Sequence, residues 1–510
     1  MREPFTIGSG HPACADRAAW RLTIADRART KHELSTAPTG PCAENLSESV
    51  AAGAVKITET AVSSGGITGR RGEGISAEMK VLIIAFWFPP SNSVGAIRVG
   101  KLARYLYRRG YQVRVLTTDI SEDRSLPLEI PRDQVIYTNY RERAPWSDFL
   151  VQLFRPLQAA RRPTSGEVPR GQGRPLPASF WDKLRPHYHG LINIPDLRSG
   201  WIKTAVPVGR RLIEDWKPDI IFASAPPFTG LVVAGRLSRG FNIPWVADYR
   251  DLWADYSYTV WRRPIDRIIE RLTLRNASAL VTTSPYHAQQ LDERHHRRVV
   301  VVFNGYDEED FPETPAADVT PGLTIRYTGS IYGGSRDPSP LFAAIAMLEG
   351  GLRREIRVEF FCDSGADVTG LAAVHGIADR IVVRPRVPHQ TALALQLHAD
   401  ALLLLQWNNK HDRGNIPAKL FEYLYARRPI LAIGYEQGIA AQLLRERDAG
   451  LVSNVPERIR DQLRTWIEQK RVGCLKRLDP SVSRGLSRDE QFRKLEQVFA
   501  EILHEQPGRS

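Results

Sequence analysis

Lys80-Val-Leu-Ile-Ile-Ala-Phe-Trp-Phe88 is a near-continuous apolar run that breaks at Pro89-Pro90 and crosses a small polar loop, Ser91–Gly95. A helical pattern follows, marked by Ile97, Leu102 and Leu106. Apolar residues on both faces suit a central parallel strand covered by helices on each side. Gly110 closes the helix and Tyr111–Thr117 supplies the next strand, so the stretch reads as one βαβ unit.

Further units lie outward from it. Strand Asp219–Ser224, helix Gly230–Arg239 and strand Trp245–Asp248 come next, then short buried strands at Ala279–Thr283 and Val299–Phe303. A second series opens at Leu323-Thr-Ile-Arg-Tyr-Thr-Gly329 and runs through Arg357–Cys362, Ile381–Val383, Ala401–Gln406 and Pro429–Ile433. Each is followed by a helical stretch. The expectation is an α/β chain of two Rossmann-like, doubly wound domains facing a cleft, with ligands beyond the carboxyl ends of the strands. The expected boundaries are 79–312, 320–485, and 486–510 for a closing helix (Arg488–His504) and tail. The joining stretch Asp310–Gly322 carries three prolines.

Residues 1–78 differ from the rest. They contain 37 Gly, Ala, Ser or Thr, with nine basic and nine acidic residues and no sustained period. Such a segment buries too little surface to offset its ordering entropy, so it is expected to be a disordered N-terminal extension, or an upstream stretch before a true start at Met79. Residues 2–22 lack the apolar core of a secretory signal.

Composition narrows the class. The chain has 510 residues, 42% hydrophobic and 25% charged, which fits two to four globular domains at roughly 100–200 residues each. No run approaches the ~20 apolar residues a spanning helix needs. Cys14, Cys42, Cys362 and Cys474 are scattered without a regular spacing, a pattern of free thiols that points to a cytoplasmic protein. The net charge of +13 favours anionic partners. Residues 141–210, read as an insertion, hold twelve Lys or Arg against five Asp or Glu, a net of +7. Aromatic residues are interleaved there, at Trp146, Phe149, Phe154, Phe180, Trp181 and Trp201. That mixture suits an anionic membrane surface, the inner face of the plasma membrane for a cytoplasmic protein, or equally a solvated linker with aromatic anchors. Nucleic acid would use the same charge, but no recognised nucleic-acid motif accompanies it, so none is expected as a partner.

Several ordered motifs sit on these two halves. They are the Phe-Pro-Pro loop with Gly95, Val246-Ala-Asp-Tyr-Arg-Asp-Leu-Trp253, Asn304-Gly-Tyr-Asp307, Thr328-Gly-Ser-Ile-Tyr332, and Pro417-Ala-Lys-Leu-Phe-Glu-Tyr-Leu424 with Arg428-Pro-Ile-Leu431. In that order they resemble the GT-B glycosyltransferases, specifically the large retaining, family 4-like group that includes lipopolysaccharide and exopolysaccharide transferases. The likeness covers about 79–505. It implies an enzyme, a retaining hexosyltransferase-type glycosyltransferase (EC 2.4 class), moving sugar from a nucleotide-diphosphate donor to a saccharide or lipid-linked acceptor in envelope polysaccharide synthesis. The resemblance also implies no catalytic metal and no resident cofactor. The adjacent His295-His296, flanked by Arg294 and Arg297, has no Cys or carboxylate at a spacing that completes a metal site.

The residues of the donor site follow from that likeness and from helix physics. A helix opening near Pro417 offers free amides and a positive dipole end to a diphosphate. Glu422 matches the second of the family's two motif glutamates and is expected to accept from the ribose hydroxyls; the first falls on Gly414, with Asp412 two positions earlier as a substitute. The family's two diphosphate-neutralising cations follow Gly329: the first falls on Ser330, the second on Arg336, and Lys419 adds a cation at the helix start. The family's usual glycine two residues before the second proline is Arg427. Gly95 lets backbone approach the sugar and phosphate closely. Asn304 stands at the domain boundary, as a cleft-lining turn or simply a turn.

Asp248 is expected to contact the transferred sugar or the acceptor hydroxyl, with Arg250 and Asp251 orienting its loop; an Asp–Arg pair that only holds the loop is the competing reading. Two other functions stay open here. One is a nucleotide-sugar epimerase of the same fold, and the other a non-catalytic relative that binds saccharide or membrane.

Overall fold

The computed structural model describes residues 79–120, 124–140, 193–253, 260–313, 321–331, 336–363, 365–475 and 477–505. The expected extension 1–78 and residues 141–192 of the basic insertion lie outside the described residues.

The first sheet is built from β1 (Lys80–Ala85), β2 (Gln112–Thr118), β3 (Val135–Thr138), β4 (Ile220–Ala225), β5 (Trp245–Tyr249), β6 (Ala279–Thr282) and β7 (Val299–Val301). All pairings are parallel, in the order β3-β2-β1-β4-β5-β6-β7. The second sheet repeats the plan with β8 (Leu323–Thr328), β9 (Ile356–Phe361), β10 (Ile381–Arg384), β11 (Ala401–Leu405), β12 (Ile430–Ile433) and β13 (Gly450–Val452), ordered β10-β9-β8-β11-β12-β13. In each sheet the order reverses beside the first strand, and a reversal of this kind leaves a crevice at the strands' carboxyl ends.

Local sequence explains the elements that bound those crevices. β1 is buried on both faces, as its apolar run requires. The helix Val94–Arg108 starts where Ser93 Oγ accepts from the Ala96 amide at 3.2 Å, satisfying one of the free N–H groups of the first turn. Each sheet is covered by a separate apolar cluster on each face. The closing helix Arg488–His504 opens with a full capping box between Ser487 and Glu490. It inserts Phe492, Leu495, Val498, Phe499 and Ile502 into the core of the first sheet, so the end of the chain returns to the lobe where the fold began. The outgoing and returning segments run side by side: the Arg488 amide donates to Tyr306 O at 2.7 Å, and the Tyr306 amide to Leu486 O at 3.2 Å.

Candidate active site

In the first lobe, Gly95 and Arg250 meet. A Cβ on Gly95 would overlap the Arg250 guanidinium, which donates from Nε to Ala225 O at 3.2 Å and from Nη2 to Pro226 O. A cation at the positive end of a helix is unfavourable by itself, and these two carbonyls offset it. The glycine therefore serves the close approach of a side chain of the same lobe.

Asp248, at the end of β5, is completely buried. Both of its oxygens are engaged: Arg98 Nη2 donates to Oδ1 at 2.8 Å and Nε to Oδ2 at 3.1 Å, and Ser224 Oγ donates to Oδ2 at 2.7 Å. Arg98 Nη1 also donates to Phe303 O at 3.1 Å and Asn304 Oδ1 at 3.3 Å. Asp248 and Asn304, read separately from the sequence, are thus joined through an arginine that sequence reasoning did not single out. Arg98 sits one turn beyond Gly95, and that spacing was the available signal. From the same loop, Asp251 acts on the other lobe through its charge. Its charge opposes ionisation of Asp412, whose carboxyl is raised above its usual value mainly by burial, while Arg336 and the bond from Asn415 Nδ2 (2.9 Å) pull the other way.

The second lobe gathers cations at the reversal between β8 and β11. Gly329 follows β8 directly with φ +135, a conformation that side chains rarely adopt. A Cβ there would overlap Lys419 Nζ. Lys419, in the first turn of the helix Ala418–Ala426, donates from Nζ to Thr328 O at 2.6 Å and lies 4.4 Å from the centroid of the Tyr327 ring. Burial lowers its ammonium to about 7, with Arg336 and Arg386 adding to the shift and Glu422 opposing it. Arg336 Nη1 donates to Ser330 O at 2.9 Å, and Arg386 stands 3.9 Å from Asp363. Arg386 was not anticipated; its signal was the position of Arg384-Pro-Arg386 at the carboxyl end of β10.

One turn along the same helix, Glu422 keeps a side chain only 15% exposed. Its Oε1 lies 2.9 Å from His389 Nε2, and Oε2 accepts from Gln396 Nε2 at 3.3 Å; that amide also donates to Thr328 Oγ1 at 3.2 Å. Burial pushes the Glu422 carboxyl up, but the His389 bond and charge outweigh it and hold the group below its ordinary value. Reciprocally, the bond to Glu422 raises the His389 imidazole above 6.5. The three-residue spacing places Lys419 and Glu422 on one helix face. Together they set a partly buried cation beside a carboxylate oriented by His389 and Gln396.

The departures from the resembled pattern have structural partners. Gly414 packs against the first lobe, where a Cβ would overlap His287 Nε2 and lie 2.7 Å from Tyr286 Cδ1. Ser330 Oγ donates to Asp363 Oδ2 at 3.0 Å. Arg427 takes the left-handed conformation, φ 57, usually left to glycine, and donates from Nε to Leu478 O at 2.8 Å.

Two Rossmann-like lobes whose strand ends face one cleft make this a GT-B fold. Residues 95–306 match the glycosyl transferase 4-like domain. The chain is similar in structure to a glycosyltransferase from Rickettsia africae, at 12% identity and a TM-score of 0.55, covering 84% of this chain and 100% of that one. It is likewise similar to Anabaena HepE in complex with UDP, at 13% identity and a TM-score of 0.55, covering 83% and 100%. The lipopolysaccharide outer core galactosyltransferase WaaB is similar at 12% identity and a TM-score of 0.50, again covering 83% and 100%. No curated protein matches the chain.

Proposed function

We propose that this protein is a glycosyltransferase that takes a sugar from a nucleotide-diphosphate donor and passes it, with retention at the anomeric carbon, to a saccharide or lipid-linked acceptor of the cell envelope. The observation that carries the reading is Lys419. Its Nζ, held by the Thr328 carbonyl and the Tyr327 ring, stands with Arg336 and Arg386 in a cluster of like charges, which burial penalises and a bound anion would neutralise. A diphosphate supplies that anion. As the glycosidic bond breaks, negative charge grows on the leaving diphosphate, where preformed cationic donors stabilise it most.

The other residues take roles around this centre. Glu422, oriented by His389 and Gln396, accepts from the ribose hydroxyls. Asp251 and Asp412, one on each lobe and close enough for the first to influence the ionisation of the second, are the carboxylates assigned to the transferred sugar. Asp248 acts through Arg98, holding the loop that carries Asp251. Charge neutralisation falls to side chains, so the reading uses no resident cofactor. Two similar structures are named for HepE with UDP and with UDP-glucose, which makes UDP-glucose the first donor to try.

The test is calorimetry of UDP, GDP and ADP against the full chain, with and without Glu422→Ala. Losing one charge-assisted bond lowers affinity by roughly tenfold or more. Binding indifferent to Glu422→Ala places the nucleotide elsewhere, and no binding by a folded chain overturns the donor reading. One observation favours a second reading, a non-catalytic saccharide binder: Gly414 stands where the family's first glutamate falls. Nucleotide binding without sugar transfer to any acceptor would support it.

A further inference from the structure

The helix Arg263–Leu274, which follows the Asp248–Asp251 loop, divides its charges by sign. Asp266 and Glu270 point inward and are 1% exposed. Asp266 is held by Arg262, with Nε donating to Oδ1 at 3.0 Å, and Glu270 lies 3.6 Å from His295. Outward stand Arg263, Arg267, Arg271 and Arg275, one every four residues and therefore in a single stripe. None of the four has an ion-pair partner among the described residues.

An apolar stripe runs beside the arginines. Trp261, Ile268 and Leu272 are 37%, 60% and 56% exposed, at helical spacing along the same surface. The neighbouring helix Thr229–Phe241 extends the basic side, with exposed Arg239 donating to Leu272 O at 3.3 Å. The element is firmly seated: buried Arg262 donates from Nη1 to Asn193 O at 2.9 Å and from Nη2 to Pro195 O. Among the described residues of the helix no carboxylate turns outward, which leaves a basic and apolar face of about 18 Å, by 1.5 Å per residue over twelve residues, toward solvent.

We infer that this face docks on an anionic lipid bilayer, lying in the interface plane. A second copy of the chain is the poorer occupant, because a two-fold pairing of the face on itself would bring eight guanidinium groups together. A bilayer instead supplies anionic headgroups for the arginines and an acyl boundary for the apolar stripe, which is the chemistry of an interfacial amphipathic helix. Among the described residues no helix is long and apolar enough to cross a membrane, so the contact is at the surface. Arg262 at the start of the helix is bonded to Asn193 O and Pro195 O, and the adjoining Asp196 accepts from the Thr229 amide just past the carboxyl end of β4, so the Trp261 end lies at the cleft edge of the sheet. A bilayer held there would present a lipid-linked acceptor to the mouth of the cleft. The docking itself does not depend on the proposed donor chemistry.

The experiment is co-sedimentation of the full chain with phosphatidylglycerol and with phosphatidylcholine vesicles, at low and physiological salt. Each arginine near an anionic surface contributes roughly fivefold to partitioning. Arg267→Glu with Arg271→Glu is expected to lower phosphatidylglycerol binding by at least tenfold, and the milder Arg267→Gln with Arg271→Gln by an intermediate factor, both with unchanged thermal melting. Ile268→Ser with Leu272→Ser should weaken binding while keeping its salt dependence. Equal binding to both lipids overturns the inference, as does absence of binding at low salt. Binding unchanged by the charge reversal also overturns it, moving any membrane contact to another basic segment. Nucleotide affinity measured on the same variants stays at the parent value, which separates this inference from the donor site.

Discussion

Lys419 occupies the space that a side chain on Gly329 would need. A Cβ at 329 would overlap Nζ, and the backbone there already has φ +135. Gly329→Ala must therefore either displace the ammonium or distort the end of β8. The expected result is nucleotide-diphosphate affinity lowered by about tenfold, the loss of one charge-assisted contact, measured by calorimetry. Parent affinity in this variant would remove Lys419 from the donor site.

The same ammonium sets a pH dependence. Its pKa is lowered to about 7 in the free protein, mainly by burial. Below that pH the group is already charged and binds a diphosphate at no protonation cost. Above it, binding must take up a proton, so affinity falls as pH rises, by up to tenfold per unit. A nucleotide sugar is the right probe, because its diphosphate is esterified at both ends and stays ionised throughout. Titrations between pH 6 and 9 in buffers of different ionisation enthalpy should show the proton uptake. Lys419→Met should abolish most of the slope, and any remainder reports His389, whose own value is raised by Glu422.

Removing one partner of the Arg98–Asp248 pair has a different consequence. Arg98→Met leaves Asp248 completely buried with only the Ser224 hydroxyl, and a stranded buried charge typically costs about 3–5 kcal/mol. It also releases Phe303 O and Asn304 Oδ1 at the crossing between lobes. Urea unfolding should show a loss of that size in Arg98→Met and a smaller one in the apolar double replacement Arg98→Met with Asp248→Leu. Equal losses in the two variants would mean the cost is packing rather than charge.

Strand identity and lobe repetition were legible because continuous apolar runs such as Val81–Ala85 and Ala401–Leu405 leave little alternative to buried parallel strands. The helix that carries Lys419 and Glu422 was legible from Pro417 after the strand, whereas the choice of Glu422 on it came from the resemblance. Partners distant in sequence were not. Arg98 meets Asp248 across 150 residues and Glu422 meets His389 across 33, and no local period encodes either pairing. Where Asp248 points could not be read from its own loop, since its orientation is set by an arginine on another element. The exposed face of Arg263–Leu274 was hidden for the opposite reason. Its sequence mixes both signs of charge, and only packing shows that the carboxylates turn inward.

Arg427 gives a stability ranking that runs against the usual preference for helix formers. Its left-handed backbone, φ 57, costs roughly 1–2 kcal/mol in any residue with a Cβ. The 2.8 Å bond from Nε to Leu478 O returns part of that. Arg427→Gly loses the bond and relieves the strain, so its stability stays close to the parent. Arg427→Ala loses the bond and keeps the strain, and should be about 1 kcal/mol less stable than the glycine variant by denaturant midpoint. Alanine matching or exceeding glycine would show that the local backbone is not strained.

Gly414 supplies the contact between lobes that a larger residue would disrupt. Its Cα faces His287 and Tyr286, with Arg413 lying 5.3 Å from the centroid of the Tyr286 ring. A methyl at 414 would overlap the His287 ring, whose place at the buried start of the helix Pro285–His295 leaves little room to retreat. Gly414→Ala should therefore hold the lobes apart, while the cations and Glu422 of the second lobe remain in place. The expected outcome is an increased radius of gyration in small-angle scattering, nucleotide affinity within about twofold of the parent, and sugar transfer lowered by tenfold or more, because the two lobes no longer close on one substrate. An unchanged radius with unchanged transfer would mean that the contact at Gly414 is not required for closure.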